Sequence, residues 1–323
     1  MRVFIAGATG AIGSRLVPLL VAAGHEVTGT SRSDSGTRRI EAAGGRGVVM
    51  DGLDEASVRR AVLDAKPEVL VHELTALSGG IDFLHVDRSF AVTNELRTRG
   101  TDMLIAAAQE VGTRRILVQS HTGWTNEHSG SRAKTEQDPL DPHPVPIART
   151  MLDAIAHAER VTVEAGGLAL RYGPLYGPGQ SVGAGGDTLE AMRKRRVPIV
   201  GDGGGVWSFC HVDDAASATF AAVTRGAPGT YNIVDDHPVP ASEWLPGLAQ
   251  AIGAKPPMRM PVWLARLMIG EFGVAWMTTA RGSSNAKAKA ELGWAPRYAS
   301  WREGFRTGLG LPEASGALGA RVA

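Results

Sequence analysis

Cysteine is nearly absent from this chain: Cys210 is the only one in 323 residues. That excludes an internal disulfide framework and a zinc site built on thiolates. Tyrosine and lysine are also scarce, with four tyrosines and six lysines against 28 arginines. No apolar run approaches the ~20 residues of a membrane span. A formal net charge of +1 provides no field that would gather nucleic acid or an anionic membrane. The expected partner is therefore a small-molecule substrate, not nucleic acid or membrane, with a homodimer as the assembly left to test. Met1-Arg2 runs directly into Val3-Phe4-Ile5-Ala6, so no secretory leader is expected and the expected location is cytoplasmic. Charged residues at 21% and hydrophobic ones at 43% describe a soluble globular chain, long enough for one large core or two fused domains.

What is present is concentrated at the start. Val3-Phe4-Ile5-Ala6 is an apolar run suited to a buried strand. It passes into Gly7-Ala8-Thr9-Gly10-Ala11-Ile12-Gly13, then into a segment with Leu16, Leu19, Leu20 and Ala23 at helical spacing. Gly24 suits a helix stop, and His25 to Thr30 reads as a second strand. A strand, a glycine-rich turn, a helix and a strand open a dinucleotide-binding fold. Gly7 allows the tight turn, Gly10 lets the backbone approach a pyrophosphate, and Gly13 permits close helix–strand packing. The loop residues Thr9, Ala11 and Ile12 lead into a helix N-terminus whose free N–H groups face the phosphates. At the end of the second strand, Thr30-Ser31-Arg32-Ser33-Asp34 carries Arg32 where a ribose-binding acid usually stands. Arg32 is placed to pair with a 2′-phosphate, so the expected cofactor is NADP, with NAD less favoured because Asp34 lies two residues late.

Further strands are expected at Val48–Met50, Glu68–His72, Arg115–Val118 and Gly167–Tyr172, and helices at Ala56–Leu63, Ser89–Glu110 and Thr150–Val163. Strands alternating with helices predict an α/β, Rossmann-type, doubly wound parallel sheet. The expected division is a dinucleotide-binding domain over residues 1–172 and a mainly substrate-binding region over 173–323, with some segments returning to the sheet. Six of the seven tryptophans lie beyond residue 200, which suggests an apolar cleft there, or a small second core. Pro261 to Thr279 carries Trp263, Leu264, Leu267, Met268, Phe272 and Trp276 at largely helical spacing, as core or cleft wall.

Several segments together resemble the extended short-chain dehydrogenase/reductases, the NAD-dependent epimerase/dehydratase family. They are Gly7 to Gly13; Gly100-Thr101 with Ala106-Ala107-Ala108; Leu170-Arg171-Tyr172-Gly173-Pro174-Leu175-Tyr176-Gly177-Pro178-Gly179; His211-Val212-Asp213-Asp214-Ala215-Ala216; Tyr231-Asn232-Ile233; and Glu291-Leu292-Gly293-Trp294-Ala295-Pro296. The resemblance implies that Asp51 and Leu53 belong to the loop holding the adenine, and that Tyr172 to Leu175 lies beside the nicotinamide. Asp213 or Asp214 is expected to cap the following helix.

The family's chemistry rests on a Tyr-x-x-x-Lys pair, in which the lysine lowers the tyrosine pKa so that the phenol exchanges a proton as hydride moves. Anchored on Glu159, this chain has Met151 and Ile155 at those positions, and its four tyrosines, Tyr172, Tyr176, Tyr231 and Tyr298, all lie elsewhere. The asparagine expected three residues before Gly100 is Arg97. What remains at the carboxyl end of the fifth strand is Ser120, His121 and Thr122, where such folds place ligands. Ser120 or Thr122 is the candidate hydroxyl and His121 the candidate proton donor, with a backbone-satisfied loop histidine as the alternative. His72 and Glu73 are second candidates. No His/Asp/Glu spacing supports a metal site. The expected function is an NADP-dependent oxidoreductase of atypical short-chain type, acting on a small, partly apolar carbonyl or enone through a non-standard proton donor. Alternatives are a cofactor-retaining isomerase, epimerase, lyase or decarboxylase without net redox, and a non-catalytic NADP-sensing protein.

Overall fold

The computed structural model describes residues 1–77 and 81–312. Alternation of apolar side chains along Val3-Phe4-Ile5-Ala6 buries residues on both faces of the first strand. Val3 and Ile5 join one core with Leu16, Leu20, Val71 and Leu170, while Phe4 and Ala6 join another with Val62, Leu70 and Leu104. The sheet has seven strands, of which the edge strand β3 alone buries no residue: β1 (Arg2–Ala6), β2 (Glu26–Ser31), β3 (Arg46–Val49), β4 (Val69–His72), β5 (Arg115–His121), β6 (Leu168–Tyr172) and β7 (Gly229–Ile233). They pair in the order β7-β6-β5-β4-β1-β2-β3, every pair parallel. Parallel strands need crossovers, and these cover both faces of the sheet, which is why β4 and β6 are buried from end to end.

Helix α1 (Gly13–Ala22) lies on one face, held to a later helix by an Arg15–Asp213 ion pair of 2.6 Å. Helices α2 (Asp34–Ala42) and α3 (Glu55–Ala65) are capped by Ser33 and Asp54, whose side chains accept from Gly36 and Ser57 N–H. Helices α4 (Thr101–Glu110) and α5 (Arg149–Glu164) cover the other face, and α6 (Val212–Ala222) packs beside α1. The chain reverses strand order between β1 and β4, and there the doubly wound sheet opens a crevice at its carboxyl edge.

The structure corrects four local expectations. The helix expected over Ser89–Glu110 is broken into Val86–Ser89, Ala91–Glu95, a π turn at Leu96–Gly100 and then α4. The Thr101 hydroxyl donates to the Leu96 carbonyl, five residues back, at 3.3 Å, and so occupies the widened turn. Strand β5 runs past Val118 to His121 because Ser120 and His121 pair in register with Arg171 and Tyr172 of β6. The helix α7 (Val262–Thr278) is interrupted at Gly270, whose φ of 65° and ψ of 179° leave helical geometry. Finally, His211 rather than Asp213 or Asp214 caps α6, its Nδ1 accepting from Asp213 N–H, while Asp214 accepts from the Arg297 and Tyr298 N–H groups.

Beyond β6 the aromatic side chains divide. Tyr176, Phe209, Trp244, Trp301 and Phe305 form a second core, while Phe272 and Trp276 join the earlier Trp124 at the carboxyl edge of the main sheet.

Candidate functional site

The glycine-rich loop folds into a cradle. Gly7 has φ +92°, and a Cβ there would stand 2.8 Å from the Glu73 backbone. A Cβ on Gly13 would stand 2.4 Å from the Gly7 carbonyl oxygen, so neither position admits a side chain. Gly10 differs. It is exposed, and its Cβ would approach only the Gly7 oxygen, at 3.2 Å, so the open space above it is free for a ligand's phosphates. Helix α1 starts at Gly13 with no side-chain cap on Ile12, and the Ala11 and Ile12 N–H groups have no backbone acceptor among the described residues. Uncapped N–H groups, the positive end of a helix and a floor without side chains fit the diphosphate of a dinucleotide. Thr9 and Ala8 complete the loop, which is tied to β2 by Gly7 N–H donating to Thr30 Oγ1 at 3.2 Å.

Arg32 is exposed at the end of β2 and makes no ion pair or side-chain hydrogen bond among the described residues. Asp51 closes its own turn, accepting from Leu53 N–H at 3.0 Å just beyond β3, the edge the adenine-loop expectation requires. Tyr172 is turned inward. Its ring is 3% exposed within the main core, and its hydroxyl lies 3.0 Å from Glu73 Oε1 and 2.7 Å from Thr219 Oγ1. Burial and the Glu73 carboxyl hold that phenol well above the ordinary tyrosine range.

The expected catalytic triplet separates into three environments. Ser120 donates to Glu159 Oε1 at 2.5 Å, and Arg171 grips the same carboxylate through Nε at 2.7 Å and Nη2 at 2.6 Å. This buried knot joins β5, α5 and β6 and holds the Ser120 hydroxyl away from a reacting group. Thr122 is consumed likewise, 2.6 Å from Ser283 Oγ and 3.3 Å from Asn126 Oδ1, fastening β5 to the C-terminal region. His121 alone lacks such a tie: its Nε2 is buried without a partner. The ring lies between Trp124 and Trp276, with centroids 6.1 and 6.2 Å away. Burial, helped by the nearby Arg97 charge, pulls its pKa down to about 3, so the imidazole is neutral at physiological pH. A neutral imidazole with so low a pKa is a poor proton donor. His72 is likewise structural, with Nδ1 accepting from Leu74 N–H and Nε2 facing the Leu96 carbonyl and the Thr101 hydroxyl.

Met151 and Ile155, at the positions of the missing pair, are each 1% exposed and pack in apolar surroundings. Beside them Trp124, Phe272 and Trp276 wall a part-open cavity of about 150 Å³ that also reaches His128 and Asp141, room on the order of one small aromatic ring. Within that wall Trp124 meets Phe272 edge-on at 5.2 Å, and Trp276 stacks on Trp207 at 4.5 Å. Sequence reasoning marked Phe272 and Trp276 as core or cleft wall, and passed over His128, Asp141 and the burial of Arg97. Their only signal was position: Asp141 sits inside the proline-rich run 138–146, His128 precedes that run, and Arg97 breaks a familiar motif. The basic run Arg193 to Arg196 borders an exposed hollow with Lys255, away from the sheet crevice. Among the described residues, no group of three or more His, Cys, Asp or Glu is placed to hold a metal, and no helix is long and apolar enough to cross a membrane.

Known proteins of similar sequence and structure bear on this site. A sequence model described as the NAD dependent epimerase/dehydratase family matches residues 3–234. A 3-diazoavenalumate denitrifying reductase of a Streptomyces species is 43% identical, over 94% of this chain and 99% of that protein. The UDP-glucose 4-epimerase of Thermotoga maritima, solved with UDP-glucose, superposes with a TM-score of 0.76 at 21% identity, covering 96% of this chain and 97% of that one. The Thermus thermophilus UDP-glucose 4-epimerase in complex with NAD gives 0.72 at 24% identity, covering 96% and 98%. Six similar solved structures name a bound dinucleotide, and in each it is NAD. That overturns the expectation of NADP. Arg32 is exposed just beyond β2, and among the described residues no side-chain partner fixes it in place for a 2′-phosphate. Taken together, the matches favour the expectation of epimerase- or dehydratase-like chemistry without net redox over reduction of a small carbonyl or enone.

Proposed function

The chain belongs to the NAD dependent epimerase/dehydratase family and is a dinucleotide-binding enzyme of that type; from that premise we propose that it is an NADH-dependent reductase that replaces the nitrogen of an aromatic diazo acid by hydride. The observation that carries the reading is the apolar floor made by Met151 and Ile155, each 1% exposed, where a proton-donating pair would stand. Reducing a ketone creates an alkoxide, and an alkoxide needs an acid beside it. Displacing nitrogen from a diazonium carbon does not. The carbon gains a hydride, the carbon–nitrogen bond breaks with its electron pair leaving on N2, and no oxyanion or proton enters the balance. NADH held by the loop Gly7 to Gly13 would be the two-electron reductant that supplies this hydride, becoming NAD⁺.

The chain's own residues do the rest. The loop Gly7 to Gly13, with Thr9, Ala11 and Ile12, holds the diphosphate, and Asp51 and Leu53 border the adenine. Trp124, Phe272 and Trp276 pack the aromatic ring and keep water from an electrophile that water would capture. His121 stays neutral beside them and adds no charge that would repel a cationic group. The Streptomyces relative, named for reductive loss of nitrogen from a diazo acid, supports the reading. The division into a dinucleotide-binding part, residues 1–172, and a mainly substrate-binding part after it is retained as part of this proposal.

A second reading is an epimerase or dehydratase acting on a sugar nucleotide or similar substrate, with the cofactor returned unchanged. The family match and the solved epimerases favour it, while Met151 and Ile155 remove the pair on which that chemistry rests. One experiment separates the two. The protein is mixed with 4-carboxybenzenediazonium and NADH deuterated at C4, and the products are examined by mass spectrometry. The first reading expects one deuterium on the ring carbon of the benzoate formed, with NADH consumed in equal amount. It fails if the benzoate carries no deuterium, or if NADH is consumed no faster than without protein. Conversion of UDP-glucose with no net change in NAD would establish the second.

A further inference from the structure

Arg97 is 5% exposed, yet it makes no hydrogen bond or ion pair through its side chain among the described residues, and its Nε and Nη1 are buried without partners. An unpaired buried guanidinium is among the most unfavourable arrangements a fold can contain. The acid that feels it most, Glu159, has both oxygens committed to Arg171 and Ser120. Burial draws the Arg97 pKa down to about 10, so the charge persists at neutral pH.

Its position is fixed by several neighbours. Arg97 lies on the π turn Leu96–Gly100, which packs against α5, the helix carrying Met151 and Ile155. Its charge depresses both His72, at the end of β4, and His121, at the end of β5, and its guanidinium lies 6.0 Å from the Phe90 ring centroid. Phe90 packs in the same apolar cluster as Trp124, Phe272 and Trp276, so Arg97 adjoins the aromatic wall from behind and is not itself part of the cavity's lining. Two more orphan atoms lie close in sequence or space: Asn94 Oδ1, one turn earlier on the same segment, and His121 Nε2. The two flanking imidazoles are neutral, and among the described residues no acid is paired with the charge.

We infer that Arg97 is a substrate-binding residue that pairs with an anionic oxygen, the carboxylate of an aromatic acid whose ring occupies the cavity walled by Trp124, Phe272 and Trp276. A guanidinium offers two parallel donors to a carboxylate, and the pair forms out of water, where it discriminates strongly against a neutral ligand. The inference rests on the reading above only for the aromatic half of the ligand. It also completes that reading's charge balance, since a diazo acid brings its own anion to the buried cation.

The test is calorimetric titration of the NAD-loaded protein with cinnamate and with methyl cinnamate, which needs no turnover. Cinnamate is expected to bind at least about tenfold more tightly than the ester. Arg97→Gln is expected to erase that preference, and Arg97→Lys to keep part of it. Equal affinities for acid and ester in the parent protein would overturn the inference, and so would a preference that survives in Arg97→Gln. Loss of NAD binding itself in Arg97→Gln would also overturn it, by assigning the residue to the cofactor. Should that variant not fold, NMR titration of the parent probes the same contact. The Arg97 Nε–H resonance should shift on adding cinnamate at neutral pH and not on adding methyl cinnamate, and an unmoved resonance counts against the site. Acid preference without hydride transfer to the diazonium would remove the proposed reaction and leave the anion site standing.

Discussion

Replacing Glu73 by glutamine should abolish a pH dependence of stability built into the floor of the dinucleotide loop. Glu73 is 9% exposed, and burial raises its carboxyl from 4.5 to about 8. The Tyr172 hydroxyl, which donates to Glu73 Oε1 at 3.0 Å, opposes this rise without cancelling it, because desolvation of the carboxylate is the larger effect. In the unfolded chain the same carboxyl ionises near 4.5, whereas the folded protein keeps its proton up to about pH 8. The stabilisation is therefore complete below the unfolded value and is lost as pH rises toward the folded one. At about 1.4 kcal/mol per pH unit, the interval corresponds to a loss on the order of 4–5 kcal/mol. Glutamine presents the shape and the donor of the neutral acid without its titration. Urea denaturation of both proteins without cofactor, from pH 5 to pH 8.5, should give similar stabilities at the acid end. The parent should then fall progressively below Glu73→Gln. Because the Glu73 backbone lies directly under Gly7, NAD affinity should also drop near the alkaline end in the parent alone, where a carboxylate forms beneath the phosphates. Parallel stability curves for the two proteins across the range would refute the reasoning.

Three further outcomes are expected. Gly13→Ala places a methyl 2.4 Å from the Gly7 carbonyl oxygen, so it should cost about 1–3 kcal/mol in urea denaturation and weaken NAD binding by calorimetry; an unchanged NAD affinity would mean that the cradle does not hold the diphosphate. Glu159→Gln leaves the Arg171 guanidinium, with 7% of its side chain exposed, without a counterion and should destabilise by about 3–5 kcal/mol, whereas Ser120→Ala should cost far less. His121 is neutral above about pH 3, so the pH profile of turnover should show no step between pH 6 and 8 that disappears in His121→Ala; such a step would restore His121 as the proton donor.

Local patterns were legible because their physics is local. Gly7, Gly10 and Gly13 act within seven residues, where a turn, an open floor and a helix start follow from backbone geometry. The central strands could be placed because burial on both faces demands runs such as Val69-Leu70-Val71, though the end of β5 could not. The reading failed where partners are distant. Ser120 and Thr122 looked like free hydroxyls, yet Glu159 lies 39 residues from the first and Ser283 161 residues from the second. The Arg97 substitution was plain, but nothing along the chain indicated that its charge would be buried without a counterion.

The sequence alone therefore determined the strands of the sheet, the glycine-rich loop and the absence of a tyrosine–lysine pair, since each depends on residue type and short spacing. Tertiary structure decided which polar groups remain available. Ser120, Thr122, His72 and Tyr172 are spent on the fold, while His121 is neutral and Arg97 charged and alone. Burial and hydrogen bonding set the charge and freedom of a side chain, and both come from elements brought together only by the folded sheet.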